Sequence, residues 1–162
     1  TKTGNYIAKV RAIYPKKNAD DAEYDAGRVV VSLGVTFYKE DGTTPAGAAF
    51  IKTSPEGRYT KAGRLDGPAK RYAELAKALG VNGANPGETY EAAKLSAFGV
   101  KVREVYVVPA ADLHDTHSEA KVNDSGDAWV TVGAEENEER EYYIGLGLDP
   151  KVMIDRIFKL KA

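Results

Sequence analysis

The chain has 162 residues, of which 43% are apolar and 29% are charged, and its formal net charge is -1. This composition is typical of an ordinary globular protein, and we expect residues 1–162 to form a single domain. The absence of cysteine excludes disulfides and thiolate chemistry. No apolar run approaches the roughly 20 residues that a membrane-spanning helix requires. We therefore expect a cytoplasmic protein with no membrane partner.

Positive and negative charge are concentrated in different parts of the chain. Residues 52–77 carry seven Lys or Arg against three acids, whereas residues 112–141 carry ten acids against two bases. Aromatic residues lie within or beside the basic stretch. A basic segment with exposed rings can neutralise phosphates and stack nucleobases, so the pattern favours binding to nucleic acid. The plainer interpretation, a solvated loop and helix face, stays open because most charge runs are of that kind.

The first half of the chain shows the alternation of β-strands. Residues 5–14 are predicted to form a strand, residues 15–26 a polar loop and residues 28–39 the clearest strand, in which Gly34 indicates a bulge or a sharp bend. An Asp41-Gly42 turn and a strand at residues 46–53 then complete a hairpin. In the first strand, alternation gives one side Tyr6, Ala8, Val10, Ala12 and Tyr14, and the other side Ile7, Lys9, Arg11 and Ile13.

The second half begins with a basic loop at residues 54–65. A helix is predicted from Asp66-Gly67-Pro68 to Gly80, because a capping residue and a proline favour its start and a glycine favours its end. A short helix at residues 88–97, a strand at residues 98–108 and a polar loop follow. Strands at 128–132 and 141–148, joined by an acidic turn, are then expected to form a hairpin.

The order of these elements indicates a fold class. Three strands, a helix and a further strand form the element order of the OB-fold, a five-stranded Greek-key barrel with a helix between strands 3 and 4. We therefore predict a mainly β, β-rich α+β fold. In detail, we expect an OB-like five-stranded barrel with an extra C-terminal β-hairpin.

The same layout resembles a group of viral proteins. It consists of the start Gly4-Asn5-Tyr6, the hairpin at 29–50, the segment from Tyr59-Thr-Lys-Ala-Gly-Arg to Leu75-Ala-Lys-Ala-Leu-Gly80, and the strand Phe98-Gly-Val-Lys-Val-Arg-Glu-Val-Tyr106. It resembles small bacteriophage early-region proteins, several of which look like OB-fold single-stranded-DNA-binding proteins of replication and recombination modules. The resemblance covers most of residues 4–108, and residues 112–141 lie outside it. It implies a viral setting and a location in the host cytoplasm.

A nucleic-acid site is predicted on the hairpin and the loop that follows it, because OB-folds bind through strands 2 and 3 and the neighbouring loops. Phosphate contacts are expected from basic side chains and base stacking from Tyr38 and Tyr59. A core position stays open as the alternative for Phe50. For Lys9 and Arg11 on the first strand, the alternative is that their long side chains only cover a half-exposed rim of the barrel. The predicted nucleic-acid-binding residues are Lys9, Arg11, Arg28, Tyr38, Phe50, Lys52, Arg58, Tyr59, Lys61 and Arg64.

The two histidines and the single tryptophan are further candidate site residues. His114 and His117 are spaced three apart, as metal ligands on a helix are, but they follow a proline in an expected loop and have no third ligand fixed by spacing. Solvated histidines are favoured, and no metal or cofactor is predicted, although an ion contact stays open. Trp129 either stacks a base or is buried, and burial is favoured because large apolar rings tend to be covered.

The predicted function is non-catalytic, because the sequence has no Walker-type loop, nucleophile elbow or His-Glu-x-x-His motif. We expect single-stranded DNA binding in phage replication or recombination, with residues 112–141 as a candidate contact for a protein partner. One alternative is a phage protein that inhibits a host factor through an acidic, DNA-mimic-like face. Another is a small virion or assembly protein. The oligomeric state, the base preference and the choice between DNA and RNA stay open.

Overall fold

The computed structural model describes residues 1–22, 25–135 and 137–161. Within these residues the strands and helices follow the chain in a fixed order. They are β1 (Gly4–Lys17), β2 (Val29–Tyr38), β3 (Pro45–Thr53), α1 (Gly67–Leu79), α2 (Pro86–Leu95), β4 (Ala97–Pro109), β5 (Asp127–Val132), α3 (Glu138–Gly145) and β6 (Lys151–Phe158). Two short 3-10 turns, at Ala110–Asp112 and Asp115–His117, lie between β4 and β5.

The strands form a six-stranded antiparallel sheet in the order β3-β2-β1-β4-β5, and β6 pairs with β4. The prediction of a β-rich α+β fold is therefore confirmed. The sheet is open, with β3 at the end of the strand order. None of the described helices is long and apolar enough to cross a membrane.

The chain contains two compact units, and the single domain expected over residues 1–162 stays a prediction. The larger unit consists of Asn5–Val100 with Arg156–Ala162. The smaller unit consists of Thr1–Gly4 with Lys101–Asp155. Both β4 and β6 contribute residues to each unit.

In the larger unit, β1, β2 and β3 form an antiparallel meander with one buried face and one open face. The buried face of β2 consists of alternate apolar residues, Val31, Leu33, Val35 and Phe37, as the period of a half-buried strand requires. The predicted hairpin is confirmed, because β2 pairs with β3 from Val31 opposite Thr53 to Tyr38 opposite Pro45. The irregularity expected at Gly34 lies in its partner strand, where the register of β1 shifts between Val10 and Ala12.

The predicted helix after the basic loop is also confirmed. The Asp66 side chain caps α1 by accepting a hydrogen bond from the Ala69 N–H, and Gly80 ends the helix with φ +69°. Glycine suits that position because a left-handed conformation is costly for residues with a Cβ. The buried side of α1 contains Tyr72, whose ring centre lies 5.6 Å from that of Tyr90 in α2.

The smaller unit differs from the prediction in one element. Residues 141–148 were expected to form the second strand of a C-terminal hairpin, and this is wrong: Glu138–Gly145 is the helix α3. The Asn137 side chain caps this helix through the Arg140 N–H at 2.9 Å, and acidic residues fill its first turn, where the helix dipole favours them. The buried Arg140 side chain also donates to Glu104 at 2.8 Å, which holds α3 against β4.

Arg28 forms a buried junction in the larger unit. Its guanidinium, which has 0% exposure, donates to the Asp66 carboxylate at 2.5 and 2.8 Å. Its Nε donates to the Ser54 hydroxyl at 3.1 Å, and Nη2 donates to the Glu56 carbonyl at 3.2 Å. This one side chain therefore connects the residue before β2, the segment after β3 and the N-terminus of α1. The prediction that Arg28 binds nucleic acid is corrected, because the guanidinium is enclosed by its protein partners.

We expect Asp66→Asn to lower the free energy of unfolding by about 3 kcal/mol, since it removes the main carboxylate partner of a buried guanidinium and leaves Arg28 only the longer contact with Asp25 at 3.3 Å. Asparagine still caps helices well, so the change isolates the charge from the cap. Urea unfolding followed by far-UV circular dichroism measures the effect. Asp124→Asn, which removes an exposed acid, is the control and should change little. A loss below 1 kcal/mol for Asp66→Asn would contradict this role.

The same pair predicts a dependence on pH. The hydrogen bond from Arg28 holds the pKa of Asp66 below its usual range, although burial acts in the opposite direction. A carboxylate with a depressed folded pKa stabilises the fold fully above its unfolded pKa, about 3.9, and this contribution is lost as the pH falls through the folded pKa. The stability difference between the wild type and Asp66→Asn should therefore shrink below about pH 4. A constant difference between pH 7 and pH 3 would argue against the assignment.

Candidate nucleic-acid interface

The open face of the β1–β3 meander presents aromatic and basic side chains together. Phe50 on β3 is 63% exposed and Tyr14 on β1 is 54% exposed. Phe50 pairs with Gly34, and Tyr14 pairs with Ser32, whose other neighbour is Lys52. Because directly opposed residues in a sheet project from the same face, these side chains belong to one surface. The core position that the sequence left open for Phe50 is therefore wrong, and its contact with nucleic acid stays a prediction.

The two exposed rings lie side by side with an arginine over one of them. The ring centres of Tyr14 and Phe50 are 6.0 Å apart, and the Arg11 guanidinium lies 5.7 Å from the centre of Phe50. Gly34 lies between them: a Cβ at this position would be 3.3 Å from Arg11 Nε and 3.5 Å from Phe50 Cε1. A glycine therefore leaves the space that these two side chains occupy.

A second ring and cation form the other end of this face. The Lys9 ammonium lies 4.8 Å from the centre of the Tyr38 ring and also donates to the Gly42 carbonyl at 3.2 Å. The turn that supplies this carbonyl is stabilised by Asp41, which accepts from the Thr43 and Thr44 N–H groups at 2.8 Å. A hydrogen bond from the Thr44 hydroxyl, together with these backbone bonds, lowers the pKa of Asp41 to about 2.

The charge of the three strands has one sign. Neither Asp nor Glu occurs within Gly4–Lys17, Val29–Tyr38 or Pro45–Thr53. The same strands carry five cations, which are Lys9, Arg11, Lys16, Lys17 and Lys52. Positive potential without internal neutralisation attracts a polyanion and raises its association rate. We name the surface formed by Lys9, Arg11, Tyr14, Tyr38, Phe50 and Lys52 the basic aromatic face.

The other predicted site residues lie on the loop after β3. Tyr59, Lys61 and Arg64 are exposed there, and a bridge between Tyr59 and Leu65 closes the loop. Arg58 is partly occupied by an ion pair with Asp25 at 3.3 Å. The structure thus brings Lys9, Arg11, Tyr38, Phe50 and Lys52 to one face and leaves Tyr59, Lys61 and Arg64 on a separate loop.

Tyr14 was missed by the prediction, and the reason is the irregularity in β1. Simple alternation assigns Tyr14 to the side of Val10, opposite Lys9. The register shift between Val10 and Ala12 reverses the sides, so Tyr14 pairs with Ser32 on the open face and Ile13 pairs with Leu33 on the buried face. A bulge adds one unpaired residue, so every later residue of the strand projects from the opposite face to the one that simple alternation gives it. The only sequence signal was Gly34, which marked the opposite strand.

The histidines of the smaller unit pack against α3 instead of being solvated. His117 Nδ1 lies 2.9 Å from the Tyr143 hydroxyl, and the His114 ring centre lies 5.2 Å from that of Tyr142. Among the residues that the structure describes, no group of three or more His, Cys, Asp or Glu is arranged to hold a metal ion. These rings therefore serve to attach the loop before β5 to the helix.

Trp129 contradicts the prediction of burial. Its side chain is 52% exposed on β5, and the Lys151 ammonium lies 5.5 Å from the ring. Its neighbours Ala128 and Val130 face the core, as alternation requires.

The comparisons with known proteins add no further assignment: no protein family, curated protein or solved structure gives a significant match to this chain.

Proposed function

We propose that this protein binds single-stranded DNA without catalysing a reaction, and that the basic aromatic face is the binding surface. The observation that carries the proposal is the juxtaposition of Tyr14, Phe50 and Arg11 on a sheet face whose strands have five cations and no acid. Exposed rings supply stacking surfaces for bases, and the cations neutralise phosphates.

The geometry favours a single strand over a duplex. Bases in a duplex are stacked on one another, so a flat protein face reaches only their edges or the backbone. A single strand can splay its bases onto Tyr14 and Phe50 while its phosphates approach Arg11 and Lys52. Each base stacked on an aromatic ring contributes about 1–3 kcal/mol, and this contribution tolerates sequence because every base has a π-face.

An OB-related fold is part of the same proposal. A three-stranded meander followed by helices and β4 is the order expected of an OB-related fold, which binds oligonucleotides on strands 2 and 3. The basic aromatic face includes residues of β2 and β3, in agreement with that location. The layout resemblance to phage early-region proteins supports a role in phage replication or recombination.

The proposal is tested by fluorescence anisotropy with a labelled mixed-sequence 30-mer, single- and double-stranded, across a salt series. We expect tighter binding to the single strand than to the duplex. The logarithm of the binding constant should fall by about 0.7 per neutralised phosphate for each tenfold increase in salt concentration. Phe50→Ala and Tyr14→Ala should each weaken binding by about 5- to 150-fold, since 1.4 kcal/mol corresponds to a tenfold change.

The control is Leu95→Ala, which removes a 77% exposed apolar side chain from the end of α2. It should leave the affinity unchanged, and circular dichroism should show all variants to be folded. Equal binding of duplex and single strand, or no binding at low salt, would overturn the proposal.

One observation favours the alternative of a protein partner for the smaller unit. Ile144 and Leu146 are exposed at the end of α3, and Glu138 and Glu141 are exposed near its start. Apolar side chains beside acidic ones suit a basic, partly apolar protein surface. If the anisotropy experiment shows no DNA binding, this helix is the surface to test for inhibition of a host factor.

A further inference from the structure

A cleft of about 620 Å³ lies in the larger unit, between the start of β1 and the segment that follows residue 155. Its volume is within the range of small-ligand sites. Three cations line it, Arg156, Lys159 and Lys161, against the single acid Glu40. None of these cations belongs to the basic stretch that the sequence singled out.

An aromatic ring lies among these cations. The Arg156 guanidinium is 5.1 Å from the centre of the Phe158 ring. That ring rests on the backbone of Gly99, where a Cβ would come within 2.2 Å of a ring carbon. Any side chain at residue 99 would displace the ring, so glycine at this position leaves the space that Phe158 occupies beside the cleft.

A second cleft, of about 380 Å³, shares Arg156, Phe158 and Lys159 and adds Lys77. The acid that lines it, Glu74, is engaged in a structural contact, because its carboxylate accepts from the Ile157 N–H at 3.1 Å. Phe158 therefore lines two adjoining clefts whose cations outnumber their acids, which is the same combination of ring and cation as on the basic aromatic face.

The larger cleft adjoins the basic aromatic face. Ile7 lines the cleft and pairs directly with Tyr38, the residue over which Lys9 lies. From Ile7 to Tyr14 the strand β1 spans about 23 Å at 3.3 Å per residue. The cleft that Phe158 lines therefore lies at the Ile7 end of β1, and Tyr14 lies toward the other end of this strand.

We propose that this cleft is a second segment of the binding track, in which Arg156, Lys159 and Lys161 contact phosphates and Phe158 stacks a base of the same DNA strand. The inference rests on the proposed function, because it assigns the cleft to the DNA that the basic aromatic face holds. Alternating cations and rings along a continuous path are the pattern by which such proteins bind several successive nucleotides.

The test compares the salt dependence of binding between two double variants. Lys159→Ala/Lys161→Ala removes two exposed lysines from the cleft, and Lys94→Ala/Lys121→Ala removes two exposed lysines elsewhere. With the single-stranded 30-mer, the slope of log K against log salt should become less steep by about 1.4 for the cleft variant, since each phosphate contact contributes about 0.7. The control variant should keep the wild-type slope.

The outcomes separate this inference from the proposed function. One outcome is that the wild type binds, that Phe50→Ala weakens binding, and that the cleft variant keeps the wild-type slope. This outcome would overturn the role of the cleft in DNA binding and leave the role of the basic aromatic face intact. Equal losses of slope in both double variants would also overturn the cleft, because the effect would then be one of total charge. A wild type that binds no single strand would overturn both.

Discussion

The Arg28–Asp66 pair is the interaction on which the rest of the larger unit depends. It joins three segments that are distant in sequence: the entry to β2, the exit from β3 and the first turn of α1. A buried guanidinium is stable only when its hydrogen bonds and charge are satisfied, because its desolvation costs several kcal/mol. Asp66 and Asp25 balance the charge, and Ser54 and the Glu56 carbonyl accept the remaining hydrogen bonds. The hairpin and helix are therefore fixed to one another by a cation that is withheld from solvent.

With the hairpin fixed in this way, the two faces of the meander differ in their exposure to solvent. One face buries Leu33, Val35 and Phe37 in the core. The other face exposes Arg11, Phe50 and Tyr14 to solvent. Single exposed apolar residues are ordinary on protein surfaces, but two adjacent rings, one of them under a guanidinium, in strands without acids, form a contiguous feature. That contrast between a covered face and an uncovered one is the physical basis of the proposed binding surface.

The sequence predicts the elements whose signals are local. The β2–β3 hairpin follows from alternation and an Asp-Gly turn, and α1 follows from Asp66, Pro68 and Gly80, all within one segment. What escapes prediction depends on partners far along the chain. Arg28 looks like an available cation until Asp66, 38 residues away, is placed beside it. Tyr14 changes faces because of one extra residue in β1, and no local pattern locates that bulge.

The errors in the smaller unit have the same origin. The segment Glu141–Leu148 alternates well enough for a strand, but Asn137 and the acids after it supply a helix start that outweighs this alternation. Trp129 is exposed although its size favours cover, because its neighbours in β5 take the buried face. In both cases a short segment fits two structures, and the packing of neighbouring elements decides between them.

Binding of DNA to the basic aromatic face can be mapped residue by residue by nuclear magnetic resonance. We would record ¹H–¹⁵N correlation spectra of the labelled protein during titration with an unlabelled single-stranded oligonucleotide. We expect the largest shift changes on the amides of β1–β3, including Arg11, Gly34 and Phe50, and only small changes on those of α3 and β5. Changes centred on the smaller unit, or spread evenly over the chain, would contradict it.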